Sequence, residues 1–160
     1  MLYFALVYPR ILYAIELYAN TYLTNLHDLM ILNNRILRIL QHQQRTINVT
    51  QLFVNYNTLP INKLFQFQIL QHAHTLLFNI DKLPKAFNKD RQINSKVHLH
   101  DTRTKLDFHR VGFNSTIGTK VSLNLCAKMW NSLPTKIKTI ASFHIFKRQL
   151  KSFLFTHELQ

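Results

Sequence analysis

Apolar and polar positions alternate with a helical period along most of the chain. From Thr24 to Gln44, apolar residues return every three or four positions and fall near one face, with basic residues on another. The same period is seen from Lys63 to Ile80 and from Phe143 to about Phe155. We therefore predict a mostly α fold, a small bundle of four or five helices with a long basic loop.

The segment from Leu2 to Tyr22 is apolar on all sides of a helical projection, which favours a helix that is buried on several sides. We expect a buried helix that starts near Pro9, because proline is tolerated only in the first helical turn. A signal peptide or membrane anchor is the alternative. However, Pro9, Arg10 and Glu16 interrupt the apolar run and no basic segment precedes it, so no membrane partner is expected.

The helical period is lost between Asn88 and Lys120, where polar and basic residues dominate. A segment of this length without regular structure is typical of a functional loop or of disorder. We therefore divide the chain into a helical region at 1–87, a basic loop or linker at 88–120, and a C-terminal helical pair at 121–160.

Charge separates this chain from an ordinary soluble domain. Its 160 residues carry a formal net charge of +13, and between Asp107 and Glu158 there are eight basic residues and no acidic one. Such a field attracts phosphate backbones or anionic lipid, although a basic face also serves solubility alone. Of these three interpretations, nucleic acid is the one we favour.

The residues needed for catalysis or metal binding are sparse. The seven acidic residues are scattered, and four of them have Lys or Arg within two residues, which favours ion pairs over a catalytic metal dyad. Only two glycines occur, which argues against a Gly-rich phosphate loop. His98, His100 and His109 have a spacing that could serve a metal ion, but contact with water or phosphate is the favoured interpretation. We predict no metal and no cofactor.

Cys126 is the single cysteine, so neither a disulfide framework nor a cysteine-based zinc site can form. It lies in an apolar helical pattern, which favours a buried, inert thiol over a nucleophile. An intracellular compartment is the default expectation for such a chain, without a distinction between nucleus and cytoplasm.

Two basic segments are candidates for phosphate contact. Arg35, Arg38, His42 and Arg45 recur at spacings of three and four and form either a phosphate-tracking stripe or a solvated face. Further along, aromatic and basic residues alternate around Arg110. We predict phosphate contact for Arg110 and anchoring roles for the neighbouring Phe108 and Phe113.

Five segments resemble, in order, the C-terminal part of LINE-type (non-LTR) retrotransposon reverse transcriptases of the jockey-like kind. Tyr8 to Glu16 is similar to the family's Tyr-Pro-x-Leu-x-Tyr-Gly-Ile-Glu stretch, and Leu32 to Ile39 to its Leu-Gln-x-Arg-Ala-Leu-Arg-Ile helix. His100 to Lys105 resembles a His-Asn-Tyr-(Asn)-Thr-Arg-x-Lys signature. Lys128 to Pro134 and Ser142 to Lys151 resemble the Leu-Trp-Asn-Ser-Leu-Pro and Ser-x-x-x-Phe-Lys-x-x-Leu-Lys patterns at the family's spacing.

Three positions depart from this resemblance. Ala14 stands where the family has glycine, Tyr18 where it commonly has tryptophan, and Cys126 where a glycine often precedes the tryptophan motif. These changes indicate a diverged copy or a pseudogene remnant, and they put close backbone approaches at the glycine positions in doubt.

The resemblance implies a thumb and post-thumb region that follows a catalytic palm and grips the template–primer, which is RNA or DNA. The family's Tyr-x-Asp-Asp motif lies in the palm, before this chain begins, so no polymerase activity is expected of the chain alone. The predicted phosphate contacts are Arg35, Arg38, Arg103, Lys105, Arg110, Lys147, Arg148 and Lys151. The predicted structural anchors are Tyr8, Pro9, Trp130, Leu133 and Pro134.

A second hypothesis needs no nucleic acid. The chain is then a structural or interaction piece that docks on a palm domain or another partner through apolar surface, chiefly between Leu2 and Leu17.

Overall fold

The chain is mostly helical, as the sequence predicts. A computed structural model describes residues 2–86, 93–97, 104, 107–110, 112, 114–115, 118 and 121–156. None of the helices in these ranges is long and apolar enough to cross a membrane. The chain forms two compact units, Met1–Phe65 and Gln66–Gln160. These units and the three regions drawn from the sequence are different divisions of the chain, and the three regions stay a prediction.

The first unit is built from short helices around one long helix. Its elements are a π-helical turn at Tyr3–Val7, α1 (Tyr8–Leu12), α2 (Ile15–Tyr18), α3 (Leu23–Leu40), α4 (Val49–Asn55) and the beginning of α5 (Ile61–Phe78).

The core of the first unit gathers around Tyr3, Leu37, Leu52 and Phe53, all of them buried. The Tyr3 hydroxyl donates a hydrogen bond of 3.1 Å to Oδ1 of the buried Asn33, which satisfies a polar group that burial would otherwise penalise. Burial raises the pKa of the Tyr3 phenol. This bond joins the N-terminal turn to α3, so the N-terminal segment is an integral part of the first unit.

The N-terminal segment is less continuous than predicted. An α-helix does begin at Tyr8, beside Pro9, but a turn with the wider π-type hydrogen bonding precedes it and the Tyr8 N–H bonds to the Tyr3 carbonyl. The helix then stops at Leu12, because Ala14 adopts a left-handed conformation with φ 55° and ψ 28°. The prediction of one helix up to Tyr22 is therefore wrong.

Helix α3 also ends earlier than predicted, at Leu40 instead of Gln44. His42 has a φ of 51°, the His42 N–H bonds to the Ile39 carbonyl, and the Gln43 N–H bonds to the Arg38 carbonyl. These two bonds define a Schellman motif, which closes a helix and reverses the chain. Glycine usually occupies the left-handed position, and its absence here removed the sequence signal for the helix end.

The second unit contains the rest of α5 and the C-terminal helices. After α5 come a 3₁₀ turn at Ile80–Lys82, α6 (Asn94–Val97), α7 (Ser122–Asn131), α8 (Thr135–Lys138) and α9 (Phe143–Thr156).

The core of the second unit is aromatic. Trp130 is buried, with its ring centroid 5.7 Å from Phe146 and 6.1 Å from Phe108. His74 is fully buried, stacks on Phe146 at 4.3 Å, and forms a 2.8 Å hydrogen bond through Nε2 to the Ile140 carbonyl. Each of these pairs joins residues from different helices or connections. The packing of aromatic rings therefore ties α5, α7 and α9 together.

One piece of the predicted basic loop is anchored to this core. Asn131, at the end of α7, pairs with both backbone groups of Phe108: the Phe108 N–H donates to Oδ1 at 3.1 Å, and Nδ2 donates to the Phe108 carbonyl at 3.0 Å. Phe108 also forms an isolated antiparallel bridge with Ile93. The anchoring role predicted for Phe108 agrees with its burial, whereas Phe113 lies outside the described residues.

Candidate nucleic-acid interface

Three arginines line one open depression in the first unit. Arg35 and Arg38 come from the last turns of α3, and Arg45 comes from the connection that follows. The depression has a volume of about 470 Å³. Its walls are completed by Ile31, Ile39 and Gln43.

The Schellman turn explains how Arg45 reaches the two helical arginines. The chain leaves the helix at His42, which has a positive φ, and the preceding residue, Gln41, bonds to α4 through its side chain. Its Nε2 donates to the Leu52 carbonyl at 3.0 Å, and its Oε1 accepts from Asn55 Nδ2 at 3.2 Å. The segment that carries Arg45 is thereby held to α4.

The electrostatics of this groove favour an anion. None of its six lining residues is acidic, so the three guanidinium groups are not neutralised by the groove itself. The Nε of Arg38 is buried and has no hydrogen-bond partner among the described residues. A buried donor without a partner costs free energy. The dipole at the end of α3 also stabilises cations there, which is an independent reason for arginine in the last turn.

The groove also has apolar walls, which the spacing of the arginines in the sequence did not predict. Ile31 and Ile39 are 51% and 63% exposed, and with Arg35 they recur at spacings of four along α3. Residues four apart lie on the same face of a helix. The sequence therefore contained a signal for these apolar walls, because both isoleucines fall outside the apolar face of α3.

A second basic surface lies on α9, in the second unit. The helix buries Phe146, Leu150 and Leu154 and contains no Asp or Glu. Lys147 and Arg148 are exposed, as predicted for an amphipathic helix.

Lys151, one turn after Lys147, is half-buried, with its Nζ 6.0 Å from the centre of the Phe155 ring. Burial lowers the pKa of Lys151, and the charge of Lys147 lowers it further. The two lysines therefore share one face of α9, where their positive charges add.

The remaining predicted contacts are Arg103, Lys105 and Arg110. Arg110 is exposed, two residues after the anchored Phe108, while Arg103 and Lys105 lie outside the described residues. Lys138, which the sequence did not single out, pairs with Asp107 at 2.9 Å and also donates to the Asn131 carbonyl at 2.9 Å.

The predicted anchors have different surroundings. Trp130 and Leu133 are buried, Tyr8 is half-buried and packs against the core of the first unit, and Pro9 and Pro134 are exposed. Pro134 precedes the first residue of α8, where a fixed φ suits a helix start.

Metal-ligating side chains are not clustered on either surface in the part of the chain that the structure describes. Within the described ranges, no group of three or more His, Cys, Asp or Glu residues could hold a metal ion. His98 and His100 lie outside these ranges. Cys126 is a buried free cysteine, as predicted, and its sulfur is 3.9 Å from the Ile69 carbonyl oxygen.

Comparison with known proteins finds no matching family, no matching curated protein and no matching solved structure. The resemblance to LINE-type reverse transcriptases therefore stays a prediction from the motifs.

Proposed function

We propose that this chain is a non-catalytic, thumb-like part of a non-LTR retrotransposon reverse transcriptase that contacts nucleic acid through its phosphate backbone. The observation that carries the proposal is the groove of Arg35, Arg38 and Arg45, which brings three cations together without an acidic residue in its lining. Guanidinium groups bind phosphate oxygens through paired hydrogen bonds, and such contacts are independent of base sequence.

The backbone at Ala14 gives separate support to the family assignment. A left-handed conformation favours glycine, and glycine is the residue that the family pattern has at this place. The basic surface of α9, with Lys147, Arg148 and Lys151, extends the capacity for phosphate contact to the second unit. Polymerase activity is not part of the proposal.

The salt dependence of binding tests the proposal. For wild-type protein and duplex DNA, the logarithm of the binding constant should fall linearly with the logarithm of salt concentration, by roughly −0.9 per phosphate contact. Arg38→Gln should make this slope shallower by about one contact and weaken binding alike for all sequences. Fluorescence anisotropy across a salt series measures both quantities.

Arg10→Gln is the matched control, because Arg10 is an exposed arginine of the same unit that does not line the groove. Its slope should equal that of the wild type. A flat salt response of the wild-type protein would reject the proposal, and equal slopes for all three proteins would reject the groove as the place of contact.

A second candidate function is a structural role without nucleic acid. Its supporting observation is the exposure of large apolar side chains at the N-terminus: Leu2, Leu6, Tyr13, Leu17, Tyr22 and Leu23 are 57–82% exposed. Exposed apolar surface of this kind is typical of a docking site for another protein.

A further inference from the structure

The groove on α3 differs from an ordinary phosphate-binding surface because apolar side chains stand beside its arginines. Ile31 and Ile39 flank Arg35 on the same face of the helix, and both are more than half exposed. These apolar side chains are exposed to water. An apolar or planar group packed against them would bury their surface, which is favourable in free energy. The ligand that suits the groove therefore has an anionic part and an apolar part close together.

The size of the groove limits the ligand further. A volume of about 470 Å³ is within the range of sites that hold one small molecule, which is on the order of 300–1,000 Å³. In a duplex the bases are stacked inside, and a backbone contact presents phosphate and sugar only. A duplex would therefore cover the opening and leave the isoleucines without a planar partner. In a single strand each base has a free face next to its phosphate.

We infer that the groove of Ile31, Arg35, Arg38, Ile39, Gln43 and Arg45 accommodates one nucleotide of a single-stranded nucleic acid, with its phosphate on the arginines and its base on the isoleucines. The inference rests on the proposed function and makes it more specific, since it names a single strand as the preferred ligand. The guanidinium groups of the three arginines supply donors for the phosphate. Gln43 supplies amide groups near the polar edge of the base.

The test compares three labelled probes of equal length with the full chain: a single-stranded DNA, a blunt duplex, and a single strand with the same phosphates but abasic sites. We expect the single strand to bind more tightly than the abasic strand. Ile39→Ala should weaken binding of the single strand by about three- to tenfold, which corresponds to the loss of part of a buried apolar contact. The same variant should bind the abasic strand and the duplex as the wild type does.

Leu32→Ala is the matched control, because Leu32 is 53% exposed on the same helix and does not line the groove. It should leave the affinity for all three probes unchanged. Ile31→Ala is a second groove variant and should act like Ile39→Ala, so the conclusion does not depend on the folding of one protein.

The outcomes separate the inference from the proposed function. Equal affinity for the single strand and the abasic strand, without an effect of either isoleucine variant, would overturn the inference and leave phosphate contact intact. Weaker binding of all probes by Arg38→Gln would then still support the proposed function. Absence of binding to every probe at low salt would reject both.

Discussion

Single residues decide where the helices of the first unit end. Within the described part of this unit, three non-glycine residues, Ala14, His42 and Asn57, have a positive φ, and each lies at an end of a helix. His42 and Asn57 both close Schellman motifs, at the ends of α3 and α4. Asparagine tolerates this conformation better than most residues because its side chain can form local hydrogen bonds. The methyl group of alanine cannot form such bonds.

Ala14 is therefore a position where a smaller residue should stabilise the protein. We expect Ala14→Gly to raise the free energy of unfolding by about 0.5–1 kcal/mol, because relief of the left-handed strain exceeds the greater loss of backbone entropy of glycine. Urea unfolding followed by circular dichroism measures the change.

Ala5→Gly is the control for this prediction. Ala5 is an exposed residue of the π-helical turn and is not among the residues with positive φ. Its replacement should lower stability by about 0.5–1 kcal/mol, since glycine weakens a helix whose backbone is unstrained. A loss of stability in both variants would contradict the left-handed conformation of Ala14.

At the scale of elements, the sequence predicted the long helices well and the short ones poorly. Helix α9 begins at Phe143 as predicted and ends within a residue of the prediction, since its apolar period is unbroken. Helix α5 lies within two residues of the prediction at each end. The N-terminal segment was misjudged, because its break depends on one residue in a conformation that alanine seldom adopts.

Helix packing in the second unit depends on a buried histidine. His74 has its Nε2 bonded to the Ile140 carbonyl, while its Nδ1 is buried and has no hydrogen-bond partner within the described ranges. A carbonyl oxygen can only accept a hydrogen bond, so Nε2 carries the hydrogen, and burial of the partnerless Nδ1 favours the neutral ring. Burial lowers the pKa of His74, and the backbone hydrogen bond opposes this shift in part.

The lowered pKa of His74 makes the stability of the protein depend on pH. Above about pH 6.5 the ring is neutral in both the folded and the unfolded chain, so its contribution is fully present. Below that value the unfolded chain binds a proton that the folded chain refuses, and the free energy of unfolding falls by up to about 1.4 kcal/mol per pH unit. The fall ends at the pKa of the folded state.

His74→Gln should remove this part of the pH dependence, since glutamine keeps an N–H donor but does not titrate. His144→Gln is the control, because His144 is exposed on α9. Thermal unfolding between pH 5 and pH 8 gives the comparison. If His74→Gln and wild type lost stability in parallel as the pH fell, the buried neutral ring would not be its source.

At the scale of the whole molecule, the helical period predicted the helical class, and the excess of Lys and Arg predicted basic surfaces. The spacing of three and four grouped Arg45 with Arg35 and Arg38, but it did not predict the chain reversal that forms the groove, because no glycine marks the end of α3. In the structure Arg45 lies beside the two arginines after this reversal, and not along a continuing helix. Tertiary contacts of this kind, such as Gln41 with Leu52, are not visible in local periodicity.

The exposed apolar residues at the N-terminus lead to a prediction about the whole chain. If they serve as a docking surface, the isolated protein should self-associate in a concentration-dependent manner. Replacement of Leu6 and Leu17 by glutamine should shift it toward the monomer, whereas Ile145→Gln, at an exposed position of α9, should not. Light scattering over a concentration series measures the oligomeric state of the wild type and of both variants. A monomer at all concentrations would count against the structural role.

The acid-free helix α9 has a consequence for how the protein responds to dissolved ions. Lys147 and Lys151 repel each other within the folded helix, and screening by added electrolyte weakens that repulsion. If α9 contacts nucleic acid as proposed, the same electrolyte competes with phosphate for its cationic side chains. Higher ionic strength should therefore stabilise helix α9 and, at the same time, weaken its binding to a polyanion.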